Sequence, residues 1–298
     1  MKIAKLIVLA SIGMMAASIY LSCTPQGARQ HRPEASAEAT APVKKSTGVE
    51  HPRAAQPTTT TQAKQASASV PAGAATLMKA YPNFVTGYKD GKLLLADGTS
   101  MTYNDGKHKS YTELLDNADP DDMLSIPYDP GKWKPGYLDD PGRIRCDALL
   151  KKMYGGSASA VRSNLVTVDW FGQHVQFNKN NGAAQALRQV AAELAHYPEL
   201  RPYLKSSGTF YWRAVRGAQR MSAHSYGIAF DIGVDKSDNW LWSNPGSSET
   251  RKGLTYHNKF PHQLVQIFEK HGFIWGGRWY HYDTMHFEYR PELLVGAK

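Results

Sequence analysis

Residues 222–233 read Ser222-Ala223-His224-Ser225-Tyr226-Gly227-Ile228-Ala229-Phe230-Asp231-Ile232-Gly233. Large apolar side chains at every second position from Ile228 predict a short strand in which Asp231 lies on the opposite face. A buried carboxylate in such a strand is costly unless it is paired or binds a cation. Gly227 permits a bend in the chain, and this bend would bring His224 to the same side as Asp231.

A second polar segment lies further along the chain and reads Gly276-Gly277-Arg278-Trp279-Tyr280-His281-Tyr282-Asp283-Thr284-Met285-His286-Phe287-Glu288-Tyr289-Arg290-Pro291. His286 and Glu288 would share one strand face, and Asp283 would lie on the turn that leads into the strand. His224, Asp231 and His286 would then form a three-ligand set with a fourth tetrahedral position left for water, as in catalytic zinc sites. Asp283 is suited to take a proton from that water.

Other chemistries compete with this metal site. The chain has 11 histidines, so a given pair of His and Asp is more often a surface or capping contact than a metal site. Each segment alone is therefore weak evidence for a ligand set. Cys146 lies near the start of a predicted helix, somewhat as a cysteine nucleophile would, but a buried and inert thiol is the favoured interpretation. The tripeptide Ser237-Asp238-Asn239 occurs in some serine enzymes, but the folded part has no Ser-x-x-Lys, so a turn is predicted there.

Taken together, the two segments resemble a known family. The pattern Ser-x-His-x-x-Gly-x-Ala-x-Asp followed by Asp-x-x-His, with Trp212-Arg213 upstream, is similar to the zinc-dependent D-alanyl-D-alanine carboxypeptidases and L-alanyl-D-glutamate endopeptidases of the VanY type. The resemblance extends from Asn164 to Leu294. It implies a domain of the hedgehog/DD-peptidase fold.

The resemblance also implies a role for each site residue. His224, Asp231 and His286 would be the zinc ligands, and Asp283 would be the general base. Arg213 would lie beside the substrate and hold a carboxylate or the tetrahedral oxyanion. Some branches of the family have Glu where Asp283 stands, and the shorter Asp favours the endopeptidase-like branch.

The function that the resemblance implies is hydrolysis of the stem peptides of bacterial peptidoglycan during cell-wall remodelling, by a zinc-dependent D,D-carboxypeptidase or L-Ala-D-Glu endopeptidase. The alternative is a catalytically inactive peptidoglycan-binding or scaffold module of the same fold. Loss of a ligand, of the base or of Arg213 would mark such a module, and all of these residues are present.

The rest of the folded part mixes both kinds of secondary structure without a regular βαβ repeat, so a single α+β domain is predicted. Apolar spacing and turn residues predict the following elements: helices over Arg143–Tyr154, Ala183–His196 and Pro261–Lys270, and strands over Leu93–Leu95, Leu165–Trp170 and His174–Phe177. We expect an N-terminal extension over residues 77–163 and the zinc peptidase core over residues 164–298.

The first 76 residues are predicted to serve export and tethering. Residues 1–22 have the basic start and apolar run of a signal peptide, and the run is shorter than the ~20 residues that span a bilayer. Cys23 follows a sequence that resembles a bacterial lipobox, so either Cys23 is acylated and anchors the chain to a membrane, or the chain is simply secreted into the periplasm or cell envelope. Residues 23–76 are poor in large apolar side chains, which predicts a disordered tether.

Charge and cysteine content exclude several classes of protein. The net charge is +9, but much of the excess lies in the first 76 residues, so the folded part has no basic stripe and nucleic acid is not an expected partner. Two cysteines are too few for a disulfide scaffold or a cysteine-rich zinc cluster. A metal ion in this protein must therefore be held mainly by histidines and carboxylates.

Overall fold

Residues 69–295 of the chain are described by a computed structural model. The predicted signal peptide, Cys23 and most of the predicted tether lie outside the described residues. Between residues 69 and 295, no helix is both long enough and apolar enough to cross a membrane.

Helices and strands follow one another irregularly along the described residues. The α-helices are α1 (Ala72–Ala80), α2 (Tyr111–Asn117), α3 (Asp147–Tyr154), α4 (Ala158–Arg162), α5 (Ala183–Leu194), α6 (Trp240–Ser243) and α7 (His262–Lys270). The strands are β1 (Val85–Lys89), β2 (Lys92–Leu95), β3 (Ser100–Thr102), β4 (Leu165–Trp170), β5 (Gln173–Asn178), β6 (Ser206–Gly208), β7 (Ala229–Ile232), β8 (Phe273–Trp275) and β9 (His286–Tyr289). They form three antiparallel sheets, with strand orders β1-β2-β3, β4-β5 and β6-β7-β9-β8. The predicted α+β class is confirmed.

Aromatic side chains fill the core between the four-stranded sheet, the β4-β5 hairpin and the helices α5 and α7. The Trp170 ring packs edge-on against Phe230 with ring centroids 4.7 Å apart, and Phe268 stacks on Phe287 at 4.0 Å. All four side chains are buried. Because Phe230 and Phe287 point into this core from β7 and β9, the residues next to them in each strand point to the other face of the sheet. The functional site is built on that face.

Helix α1 corrects the predicted end of the tether, which was placed at residue 76. The helix begins at Ala72, and Ala74 and Leu77 are buried in the core. Alanine is the best helix former, and its small side chain allows close packing, so a stretch without large apolar residues can still belong to a folded domain.

The segment predicted as an N-terminal extension shares its hydrophobic core with the rest of the fold. Leu77 of α1, Leu93 of β2 and Leu150 of α3 belong to the same buried cluster as Phe230 and Phe287. This shared core brings the loop that precedes α3 to the edge of the functional site.

Candidate metal centre and active site

Three side chains predicted as metal ligands converge at one end of the four-stranded sheet. His224 Nε2 lies 3.2 Å from His286 Nδ1 and 3.2 Å from Asp231 Oδ2, and His286 Nδ1 lies 2.8 Å from Asp231 Oδ1. Potential ligand atoms of the three residues all lie within 4.8 Å of one another. The side chains come from separate parts of the sequence but form one compact donor set.

Strand register and a glycine bend bring these residues together. Asp231 in β7 is the direct cross-strand partner of His286 in β9, so their side chains emerge on the same face of the sheet. His224 lies in the 3₁₀ turn Ala223–Tyr226, which ends at Gly227 with a φ of 66°. A Cβ atom at Gly227 would lie 2.6 Å from Leu165 Cδ2 in addition to requiring this left-handed conformation. The bend that was predicted at Gly227 is therefore confirmed.

Hydrogen bonds at the outer side of each histidine orient the ligand atoms. His224 Nδ1 donates to the Thr209 carbonyl oxygen at 2.8 Å, which leaves the lone pair of Nε2 directed at Asp231 and His286. His286 Nε2 donates to Glu288 Oε1 at 3.0 Å, which leaves Nδ1 as its ligand atom. Metal-binding histidines are commonly held in this way by a carbonyl or carboxylate partner.

The donor set fits a zinc ion. Zinc holds nitrogen and oxygen ligands at ~2.0–2.1 Å, which places tetrahedral donors about 3.3 Å apart. The donor separations of 2.8–3.2 Å are close to this value. Burial opposes protonation of the His286 imidazole, but its hydrogen bonds to Asp231 and Glu288 outweigh this and raise the pKa of His286 to about 10. Metal binding must therefore displace a proton from His286.

Glu288 supports the ligand His286. From the sequence, Glu288 was expected only to share a strand face with His286. Its carboxylate is buried and accepts hydrogen bonds from His286 and, at 2.9 Å, from Arg145 Nη1. Burial opposes the charge, but Arg145 and His286 outweigh it and lower the pKa of Glu288 to about 2. The two-residue spacing from His286 was the available signal for this role. Glu288 is a positioning residue for His286.

We expect Glu288→Gln to lower zinc affinity by about 10–100-fold, because the loss of an outer carboxylate partner weakens a histidine ligand by this amount. The measurement is a competitive zinc titration against a chromophoric chelator. Glu292→Gln is the matched control, since Glu292 is also buried and also pairs with Arg290 but does not contact a ligand. Equal affinities in the wild type and in Glu288→Gln would contradict the role of Glu288.

Asp283 lies in the same cavity as the ligand set, a space of about 200 Å³. Its backbone N–H donates to the Gly276 carbonyl at 3.0 Å, which fixes the turn before β9. Asp283 Oδ1 is buried and has no hydrogen-bond partner among the described residues. Burial raises the pKa of Asp283 to about 6. A carboxylate with these properties is suited to accept a proton near neutral pH.

Arg213 also lines this cavity, and its side chain is exposed. Ser225 fixes its backbone, because the Arg213 N–H donates to Ser225 Oγ at 2.9 Å and the Ser225 hydroxyl donates to the Arg213 carbonyl at 2.7 Å. No carboxylate of the described residues forms an ion pair with Arg213. Its guanidinium is therefore available to an anionic group in the cavity.

Sequence reasoning missed four further residues that line the cavity: Arg143, Arg145, Arg220 and His281. Arg143 and Arg145 lie in the N-terminal extension, outside the region of resemblance. No local pattern marks them as site residues, because their position depends on packing between distant segments.

The alternative nucleophiles do not form a site. Cys146 is buried outside the cavity wall, and burial raises the pKa of its thiol to about 11, so the thiolate is disfavoured. In Ser237-Asp238-Asn239, the Ser237 hydroxyl donates to the Val234 carbonyl, and Asn239 caps α6. The buried thiol that the sequence predicts is confirmed, but the predicted turn is wrong: Ser237 and Asn239 are extended and link the 3₁₀ turn Val234–Lys236 to α6.

Comparison with known protein families finds a match for one segment of the chain. Residues 216–289 match the family model described as D-alanyl-D-alanine carboxypeptidase. No curated protein and no solved structure matches the chain. The matched residues contain His224, Asp231, Asp283 and His286, and Arg213 lies just before them. This match agrees with the resemblance to VanY-type D-alanyl-D-alanine carboxypeptidases that the sequence motifs of the same segment carry.

Proposed function

We propose that the protein is a zinc peptidase that hydrolyses a peptide bond in the stem peptides of bacterial peptidoglycan, as a D,D-carboxypeptidase or an L-Ala-D-Glu endopeptidase. The observation that carries this proposal is the convergence of three metal-type ligands with the unpartnered carboxylate oxygen of Asp283 in one cavity. The family match over residues 216–289 supports a peptidase of the D-alanyl-D-alanine carboxypeptidase type.

Each residue has a defined task in this mechanism. His224, Asp231 and His286 would hold the zinc ion, which when bound acidifies a water molecule and polarises the scissile carbonyl. Asp283 accepts the proton of the attacking water at its buried carboxylate and returns it to the leaving amine as the carbon–nitrogen bond breaks. Arg213 binds a substrate carboxylate or the oxyanion that forms on the attacked carbonyl. Glu288 holds His286 in its orientation.

A binding or scaffold module of the same fold is the second candidate. The presence of the whole ligand set, of Asp283 and of Arg213 in one cavity favours the enzyme, because a module that only binds has no need for a buried carboxylate with one oxygen free to accept a proton.

Mass spectrometry of muropeptides distinguishes the candidates. Purified muropeptides with pentapeptide and tetrapeptide stems are incubated with the zinc-loaded protein. Loss of one alanine from pentapeptide stems alone indicates a D,D-carboxypeptidase, and release of a peptide that begins with D-Glu indicates the endopeptidase. If neither product forms although zinc is bound stoichiometrically, the enzyme proposal is wrong and the binding module is favoured.

We further propose that the enzyme is exported to the periplasm or cell envelope and that an acyl group on Cys23 anchors it to a membrane. The basic start and apolar run of residues 1–22 support export, and the sequence before Cys23 supports acylation. A tether after Cys23 would let the folded part reach stem peptides at some distance from the membrane.

A further inference from the structure

One wall of the active-site cavity is lined by arginines. Arg143, Arg145 and Arg220 line it together with Arg213. The side chains of the first three are only 11%, 7% and 7% exposed. Arginine is rarely buried without a partner, so three such side chains in one wall call for anionic groups nearby.

Carboxylates outside the cavity wall hold two of these arginines in place. Arg143 donates to both oxygens of Glu249, at 2.9 and 3.0 Å. Arg220 donates to Asp116 at 2.9 Å and to Glu249 at 3.3 Å. Glu249 and Asp116 do not line the cavity, so they fix the guanidinium groups without filling the space in front of them. This arrangement is preorganised for an anion.

Two buried nitrogen atoms on cavity-lining residues have no hydrogen-bond partner among the described residues: Arg145 Nε and His281 Nε2. His281 Nε2 lies 3.7 Å from Glu249 Oε2. The Arg145 side chain is held through Nη1 by Glu288. The His281 ring is 1% exposed and is held through Nδ1 by Asp140 at 2.7 Å. Buried polar atoms in folded proteins are normally hydrogen-bonded, so the free N–H of Arg145 Nε indicates an acceptor group in the cavity. His281 Nε2 is itself an acceptor when Nδ1 carries the proton that Asp140 accepts, so it is not a carboxylate donor.

We propose that Arg143, Arg145 and Arg220 form a carboxylate-binding subsite beside the metal ligands. The substrate is then a peptide with a second free carboxylate, in addition to the group that Arg213 binds. This inference rests on the proposed function, since a peptide in the cavity supplies the carboxylate. The fork of donors on each guanidinium suits a carboxylate oxygen pair. Much of this subsite comes from the extension, so the extension selects the substrate.

Calorimetry with a series of stem peptides tests the subsite. The full chain carries Asp283→Asn, so that peptides bind without turnover, and it is loaded with zinc. The reference probe is a stem pentapeptide with free carboxylates on its second and third residues. Three further probes are amidated at the second residue, at the third residue or at the carboxy terminus. We expect one internal amide to weaken binding by about 10–100-fold, since a charge-assisted hydrogen bond contributes this much to affinity. The position of that amide identifies the carboxylate that is bound.

Substitution of the subsite tests which residues cause the preference. The variant Arg143→Gln/Glu249→Gln removes this ion pair as a unit. Arg220 keeps its bond to Asp116, and the buried Asp140 keeps its hydrogen bonds from Tyr111 and His281. We expect the affinity ratio between the free and the amidated peptide to fall by about tenfold. Arg143→Lys keeps the charge but loses the fork, and an intermediate ratio is expected. Arg188→Gln is the control, because Arg188 is exposed and lies outside the cavity wall, and this variant should keep the wild-type ratio.

The outcomes separate this proposal from the proposed function. The subsite proposal is overturned if the peptides amidated at the second and third residues bind as tightly as the free peptide. It is also overturned if the double variant keeps the wild-type affinity ratio. Both results would hold even if the enzyme cleaves stem peptides. If only the carboxy-terminal amide binds weakly, Arg213 alone explains recognition and the subsite is again overturned. If the protein prefers a peptide with a free internal carboxylate and the double variant loses this preference, the subsite is supported even if no hydrolysis is observed. If the double variant does not fold, Arg143→Lys supplies the comparison, and the full wild-type ratio in that variant overturns the subsite.

Discussion

Asp283→Asn is expected to lower kcat for stem-peptide cleavage by about 10²–10⁴-fold, while zinc remains bound at the wild-type stoichiometry. The substitution keeps the size of the side chain but removes its ability to accept a proton. Asp283 is not part of the donor set formed by His224, Asp231 and His286. Turnover and metal content should therefore separate cleanly in this variant.

The measurement combines product formation by mass spectrometry with metal analysis of the same sample. Asp238→Asn is the matched control, because Asp238 lies in a neighbouring loop that contacts Thr284 but does not line the cavity. A fully active Asp283→Asn protein would show that another group moves the proton. A variant that has lost its zinc would show that Asp283 supports the metal and not the proton transfer.

His224→Ala is expected to abolish both zinc binding and turnover. It removes one of three ligands together with the hydrogen bond from Nδ1 to the Thr209 carbonyl. Loss of an outer partner alone costs about 10–100-fold in metal affinity, so loss of the ligand itself should cost more than about 100-fold. A chelator competition experiment gives this value directly.

His174→Ala serves as the control for the loss of a histidine, since its side chain is 77% exposed and pairs only with Asp169 on the surface. Circular dichroism of both variants establishes that the fold is retained. Tight zinc binding by folded His224→Ala protein would rule out His224 as a ligand and would require a different donor set.

The sequence was sufficient where local patterns determine structure. Alternation around Asp231 and before Glu288 predicted the two strands that carry the site, and the β4-β5 hairpin extends only one residue beyond the predicted strand at each end of His174–Phe177. These strands are fixed by the two-residue period of their side chains, which can be recognised without knowledge of the rest of the fold.

The start of α3 shows where local patterns fail. A helix was predicted from Arg143, but α3 begins at Asp147. Arg143 and Arg145 instead lie in an irregular segment from which they reach Glu249 and Glu288. These tertiary ion pairs outweigh helix propensity, which is weak for any single residue.

The arginines of the cavity wall could not be predicted from the sequence, because tertiary ion pairs also determine their positions. Arg145 and Glu288 are 143 positions apart in the chain, and Arg220 and Asp116 are 104 positions apart. Spacing rules describe neighbours in a helix or strand and contain no information about such pairs. The chemistry of the ligand set could therefore be predicted, but the recognition surface around it could not.

The pairing of Asp231 with His286 across β7 and β9 has a consequence for how the site is assembled. Sliding one strand by a single residue would turn one ligand toward the aromatic core and bring a phenylalanine out in its place. Native pairing of β7 with β9 therefore brings two of the three ligands together in one step. A chain with a misaligned sheet would lack this pair of ligands and would bind metal weakly. Bound metal would therefore stabilise only the molecules whose strands are correctly paired.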